Sequence, residues 1–152
     1  MNVMKKIISY AASFLIIVSV AAAPGSKLIE QFKATFPNAE NVKWAEDKDG
    51  YFVSFFQAGD FSKVLYNTAG DFVCSWKYST GHELPTSVVM KMNKKYSEAK
   101  IIGVTELTTD DNTVYEVKAA KGSKLYCITF SSNGTIIEET KFTNQNADAT
   151  KG

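Results

Sequence analysis

The sequence predicts an α+β domain made of two tandem helix-plus-four-strand antiparallel repeats, with the helices on one face of the sheet. Three observations predict it. The apolar positions Leu28, Ile29, Phe32 and Phe36 return 60 residues later as Val88, Val89, Met92 and Tyr96. Their spacing, i, i+1, i+4, i+8, lines one side of a helix. Strand-like runs return at an offset of 64, with Tyr51, Val53 and Phe55 on Tyr115, Val117 and Ala119, and Val64 and Tyr66 on Ile128 and Phe130. The turns "NTAGD" and "SSNGT" each place a glycine, Gly70 and Gly134, where a hairpin needs positive φ.

The chain opens with Lys5 and Lys6, an apolar run over 7–20 and the small residues Ala21, Ala22 and Ala23. That order of charge, apolar run and small residues reads as a signal peptide, 1–22. Pro24 disfavours cleavage after Ala23, so the cut is placed after Ala22. A retained anchor is the rival reading, but the run is short for a span of about 20 residues. No cysteine near the cut invites lipid attachment. The expected protein is periplasmic or secreted, with no membrane anchoring after cleavage.

The remaining chain reads as a single domain, 23–142, of two repeats over 26–78 and 85–142. In the stretch "FKATFPNAENVKW" a helix runs out at Pro37-Asn38 into a strand carrying Val42 and Trp44, which share a parity. "MNKKYSEAKIIGV" overlays it without a gap, Val42 on Ile102 and Trp44 on Val104. Pro85 opens the second helix, where its missing N–H is not needed. The change of offset falls in "EDKDG" against "ELTTDDNT", read as a polar turn that tolerates insertion. A flexible tail, 143–152, has no apolar period.

The phrases "FPNAENVKW" and "DGYFVSF", an aromatic-Asn-Thr-Ala-Gly turn and "LPTSV" opening the second helix resemble the PepSY-like, beta-lactamase-inhibitor-like family of exported bacterial proteins. The resemblance spans roughly 27–142. It implies tandem helix-plus-sheet repeats, a periplasmic location and no catalysis. The family takes its name from likeness to a protein that grips an enzyme on the open face of its sheet. The second copy departs from the phrase, with Tyr96-Ser97 in place of Phe36-Pro37.

Composition removes several functions. All 17 basic residues are lysine, so there is no guanidinium fork for bases or phosphates, and nucleic acid is not an expected partner. Without the leader the net charge is about −1. A single histidine, His82, lies in the link "YSTGHELPT" and reads as a solvated residue. "HEL" lacks the second histidine of a zincin helix. One His and two separated Cys build neither a zinc cage nor a Cys–His nucleophile pair. Glu46-Asp47 and Glu138-Glu139 read as solvated charges, and "TTDDN" as a turn without calcium-loop spacing. No catalytic residue, metal ligand or cofactor is expected.

Parity identifies a face. Glu116, Lys118, Leu125, Cys127, Thr129, Glu138 and Thr140 point away from the helices. The same parity in the first copy points Phe52, Phe56, Leu65, Cys74 and Trp76 outward, making that face the greasier one. Two readings stand. The residues are covered by the other repeat, the tail or a dimer mate, or they form a partner-binding face of Phe52, Phe56, Leu65 and Trp76. Trp44 belongs to the helix side. Cys74 and Cys127 share the outward parity in a compartment that permits oxidation, so a disulfide is considered.

The expected function is that of a non-catalytic, periplasmic, inhibitor-like binding protein, monomer or homodimer, contacting an unidentified envelope protein through the helix-free face. The alternative is a carrier of a small apolar ligand.

Overall fold

The computed structural model describes residues 24–143. The expected signal peptide and the tail after Thr143 lie outside the described residues. Ten elements follow in order: α1 Ser26–Thr35, β1 Glu40–Asp47, β2 Gly50–Gln57, β3 Asp60–Tyr66, β4 Phe72–Ser79, α2 Thr86–Lys95, β5 Lys100–Thr109, β6 Thr113–Lys121, β7 Lys124–Ser131 and β8 Ile136–Thr143. The strands form one eight-stranded antiparallel sheet whose spatial order is the sequence order. Over the described residues it is a meander with two helices, and the fold is α+β.

Both helices are ten residues long and lack a side-chain cap at the N-terminus. Each stops one residue before an aromatic whose N–H still bonds back, Phe36 to the Phe32 carbonyl and Tyr96 to the Met92 carbonyl, both at 2.8 Å. The following turns are also alike: Ala39 donates to Phe36 and Ala99 to Tyr96. In the hairpins, Asn67 N–H meets the Asp71 carbonyl at 2.8 Å and Ser131 N–H meets the Thr135 carbonyl at 2.9 Å. Gly134 has φ 82°, and a Cβ there would approach the Ser87 carbonyl oxygen to 2.7 Å. The glycine therefore serves the turn and the seating of α2 together.

Apolar burial divides into three clusters. Leu28 and Phe32 of α1 pack on Val53, Phe55, Val64 and Tyr66, with Trp44 at the margin. Phe32 meets Trp44 edge-on at 5.4 Å and Phe55 at 5.1 Å. Val88, Met92 and Tyr96 pack on Val104, Val117, Ala119, Ile128 and Phe130. The third cluster, Leu65, Cys74, Trp76, Leu107 and Val114, contains no helical residue. Cross-strand partners share a face, and Leu65↔Cys74, Trp76↔Leu107 and Leu107↔Val114 are partners. This third cluster lies on the face opposite the helices.

Three expectations are corrected here. The polar turn "ELTTDDNT" is mostly strand, because Leu107↔Val114 and Thr108↔Thr113 extend the β5–β6 hairpin. At the matching place β1 and β2 close with Asp47↔Gly50. The extra residues lengthen the hairpin beyond Leu107 and Val114, the counterparts of Asp47 and Gly50, and these two side chains join the third cluster. Second, Val42 is not buried beside Trp44. The register shifts between Glu40 and Lys43, and Val42 is left exposed. Ile102 is exposed at the corresponding shift between Ile101 and Gly103. A bulge adds one residue and breaks the period of two. Third, Cys74 and Cys127 are not bridged; both are free. Strands β5 and β6 lie between β4 and β7, a separation of roughly 14 Å at about 4.8 Å per strand. A disulfide needs Cα atoms within about 7 Å.

Two measurements check this arrangement. Unreduced, denatured protein should titrate two free thiols. In the native state Cys127 should react well before Cys74, which is buried and whose thiol burial pushes up to about 12. A native protein in which both thiols react equally fast would contradict the buried third cluster. In denaturant melts, Trp76→Ala should destabilise by about 3–5 kcal/mol, as a core aromatic does. Trp76→Phe should be far milder, because the indole N–H is buried without a hydrogen-bond partner among the described residues. Wild-type stability for Trp76→Ala would mean that the third cluster does not form.

Candidate functional site

The helix-free face is built by alternate residues of all eight strands, and its two halves differ in chemistry. Phe52, Phe56, Leu65 and Trp76 share one parity in the strand register, but they do not stand equally exposed. Trp76 retains 5 % of its accessible surface and Leu65 8 %, whereas Phe56 retains 41 %. Phe52 is half-buried. The expectation of an exposed Trp76 is therefore corrected. Of the two readings, cover from the other half of the chain holds for Trp76, because Leu107 and Val114 pack against it. Apolar neighbours on three adjacent strands shield one another even where no second layer covers them.

Above this buried base runs an aromatic row. Phe56, Phe61 and Tyr78 are successive cross-strand partners on β2, β3 and β4. Their ring centroids are 5.3 Å apart from Phe56 to Phe61 and 5.7 Å apart from Phe61 to Tyr78. Both separations fall within the range of favourable ring contacts. One row over, the Lys63 ammonium stands 4.3 Å from the centre of the Phe52 ring, close enough for attraction to the ring face. Burial holds Lys63 below the usual lysine range, partly offset by Asp47.

Past the middle of the sheet the row turns polar. Tyr78 pairs with Thr105, Thr105 with Glu116, Glu116 with Thr129 and Thr129 with Glu138. Lys118 reaches Glu116 at 3.4 Å. The Tyr78 hydroxyl is pushed above its ordinary range by burial and then by the Glu116 charge. Cys127 also lies here, and burial with the Glu116 charge raises its thiol.

Phe61 and Tyr78 were not among the residues singled out from the sequence. Phe61 is four residues from Leu65, and Tyr78 two from Trp76, so the period of two already carried the signal. Leu107 and Val114 were missed for another reason: their strand pairing was read as a turn. Trp44 is on the helix side, stacked on Tyr66 at 6.2 Å. His82 lies in the link, 3.6 Å from Asp60, and is not part of the helix-free face.

Chemically the arrangement offers an aromatic half-face beside a hydroxyl- and carboxylate-bearing half-face. Cys74, its buried thiol, is held in the neutral form. Among the described residues no helix is long and apolar enough to cross a membrane.

No protein-family model and no curated protein matches the chain. Solved structures do. A BLIP-like (beta-lactamase-inhibitor-protein-like) protein of Bacteroides fragilis superposes with a TM-score of 0.63 at 22% identity, over 81% of this chain and 90% of that one. A proposed periplasmic protein of Bacteroides eggerthii gives 0.65 at 19% identity, over 81% and 92%. A DUF2874 family protein of Bacteroides ovatus gives 0.64 at 18% identity, over 86% and 94%. At these identities the likeness is one of architecture, and the chain has a BLIP-like fold.

Proposed function

We propose that this chain is a non-catalytic binding protein of the cell envelope, periplasmic or secreted, that holds a protein partner against the helix-free face of its sheet. The observation that carries the reading is the Phe56–Phe61–Tyr78 row, partly open to solvent and seated on the buried Leu65–Trp76–Leu107 base. Binding energy concentrates where aromatic side chains are held rigidly before contact. Phe56 and Phe52 make the contact in this reading, and Trp76 and Leu65 hold the row in place. The Thr105–Glu116–Thr129–Glu138 row forms the polar rim. A periplasmic setting is supported by the description of the Bacteroides eggerthii structure and by the leader-like start of the sequence. The BLIP-like name supports the reading at the level of fold alone.

We infer further that the chain is a PepSY-like tandem repeat. Support comes from helices of equal length beginning 60 positions apart, from the same carbonyls closing each helix and hairpin, and from bulges at matching places in β1 and β5. The bulges in β4 and β8, at Val73 opposite Leu65/Tyr66 and at Ile137 opposite Thr129/Phe130, also correspond.

The test is a pull-down from envelope extract with wild type, Phe56→Glu and Met90→Glu as baits. Met90 is exposed on α2, away from the sheet. A partner captured by wild type and Met90→Glu but lost with Phe56→Glu is expected. Capture by all three baits alike would overturn the assignment of the face. A small apolar molecule found with the wild type by native mass spectrometry, and absent from Phe56→Glu, would favour the carrier reading instead.

A further inference from the structure

The link between the halves brings together a second cluster, distinct from the aromatic row although Asp60 adjoins Phe61 in the chain. Asp60 opens β3, and His82 and Glu83 lie 22 and 23 positions later in the link. One ligand atom from each of Asp60, His82 and Glu83 comes within 4.8 Å of the others. His82 Nε2 stands 3.6 Å from Asp60 Oδ2, and its Nδ1 is 3.5 Å from the Thr80 hydroxyl. The Asp60 side chain is largely enclosed, at 13%, while those of His82 and Glu83 are half open. The charges do not balance locally. Lys77 contacts Glu83 and faces Glu106 across the β4–β5 pair, and Asp60 also acts on it. Three carboxylates therefore surround one ammonium, with the His82 imidazole beside them.

We propose that Asp60, His82 and Glu83 form a site for a first-row divalent cation, Zn2+ foremost, that fastens the link to the β2–β3 hairpin. An imidazole nitrogen with two carboxylate oxygens is a donor set for such ions, and water completes the shell. Ligand atoms about 2.1 Å from a tetrahedral ion lie roughly 3.4 Å from one another. The present spread of up to 4.8 Å is wider than that, and His82 and Glu83, the two exposed members, are the side chains free to close it. A divalent ion also cancels the surplus of negative charge. Lys77 occupies Glu83 when no ion is bound, so it competes with the cation. A count of histidines and cysteines does not reach this cluster, because two of its three ligands are carboxylates.

Isothermal titration of the folded protein with Zn2+ in a non-chelating buffer tests the site, with circular dichroism confirming the fold of each variant. About one ion per chain is expected, with affinity reduced about tenfold or more in His82→Ala and in Asp60→Asn. Lys77→Gln should bind more tightly than wild type, an outcome that a purely structural salt bridge does not produce. Wild type that binds no Zn2+, or His82→Ala that binds as wild type does, overturns the proposal. Equal affinity for Mg2+ and Zn2+ overturns it as well, since carboxylates without the imidazole would account for that result.

Discussion

The pairing of β4 with β5 is the interaction on which the rest of this structure depends. Every other strand pair joins neighbours separated by a short turn, whereas β4 and β5 are separated by the link and α2. The register at this seam is continuous from Cys74↔Thr109 to Ser79↔Val104. One side of it carries Trp76 against Leu107, and the other carries Lys77 against Glu106. The seam is thus apolar toward the helix-free face and charged toward the link. Without it, each half would be a four-stranded sheet with one helix and an open edge.

The seam explains why the two halves, so alike in backbone, differ on the helix-free face. β4 is an interior strand, and its outward residues have neighbours on both sides. β8 is an edge, and nearly all its residues are exposed. At positions of equal rank β4 has Cys74 and Trp76 while β8 has Glu138 and Thr140. An edge strand that carried the apolar pair would invite association with another sheet. The longer β5–β6 hairpin completes the difference, because Leu107 and Val114 replace the Asp47↔Gly50 closure of the first half. The aromatic half-face then follows from where the strand lies in the sheet.

The local patterns were legible in the sequence. The stripe Leu28-Ile29-Phe32-Phe36, the glycine turns and the alternation of Tyr115, Val117 and Ala119 each specify their element by periodicity alone. What escaped reading was of two kinds. Bulges add a residue without changing composition, so the exposure of Val42 and Ile102 leaves no trace in the pattern. Non-local register is the second kind. The burial of Trp76 depends on Leu107, and the separation of the two cysteines depends on two intervening strands. Neither relation exists until the seam is aligned. The candidate face was therefore recovered as a set of outward positions, while which of them stand open was not. The Asp60–His82–Glu83 cluster joins a hairpin to the link, and no local spacing announces it.

The order in which the chain is made gives the seam a further consequence. Synthesis proceeds from the N-terminus, so α1 and β1–β4 are complete before β5 exists. During that interval β4 is a bare edge, and Leu65, Cys74 and Trp76 face water with nothing from the second half to shield them. The nascent first half is thus a sticky, half-finished sheet that ceases to be so only when β5 arrives.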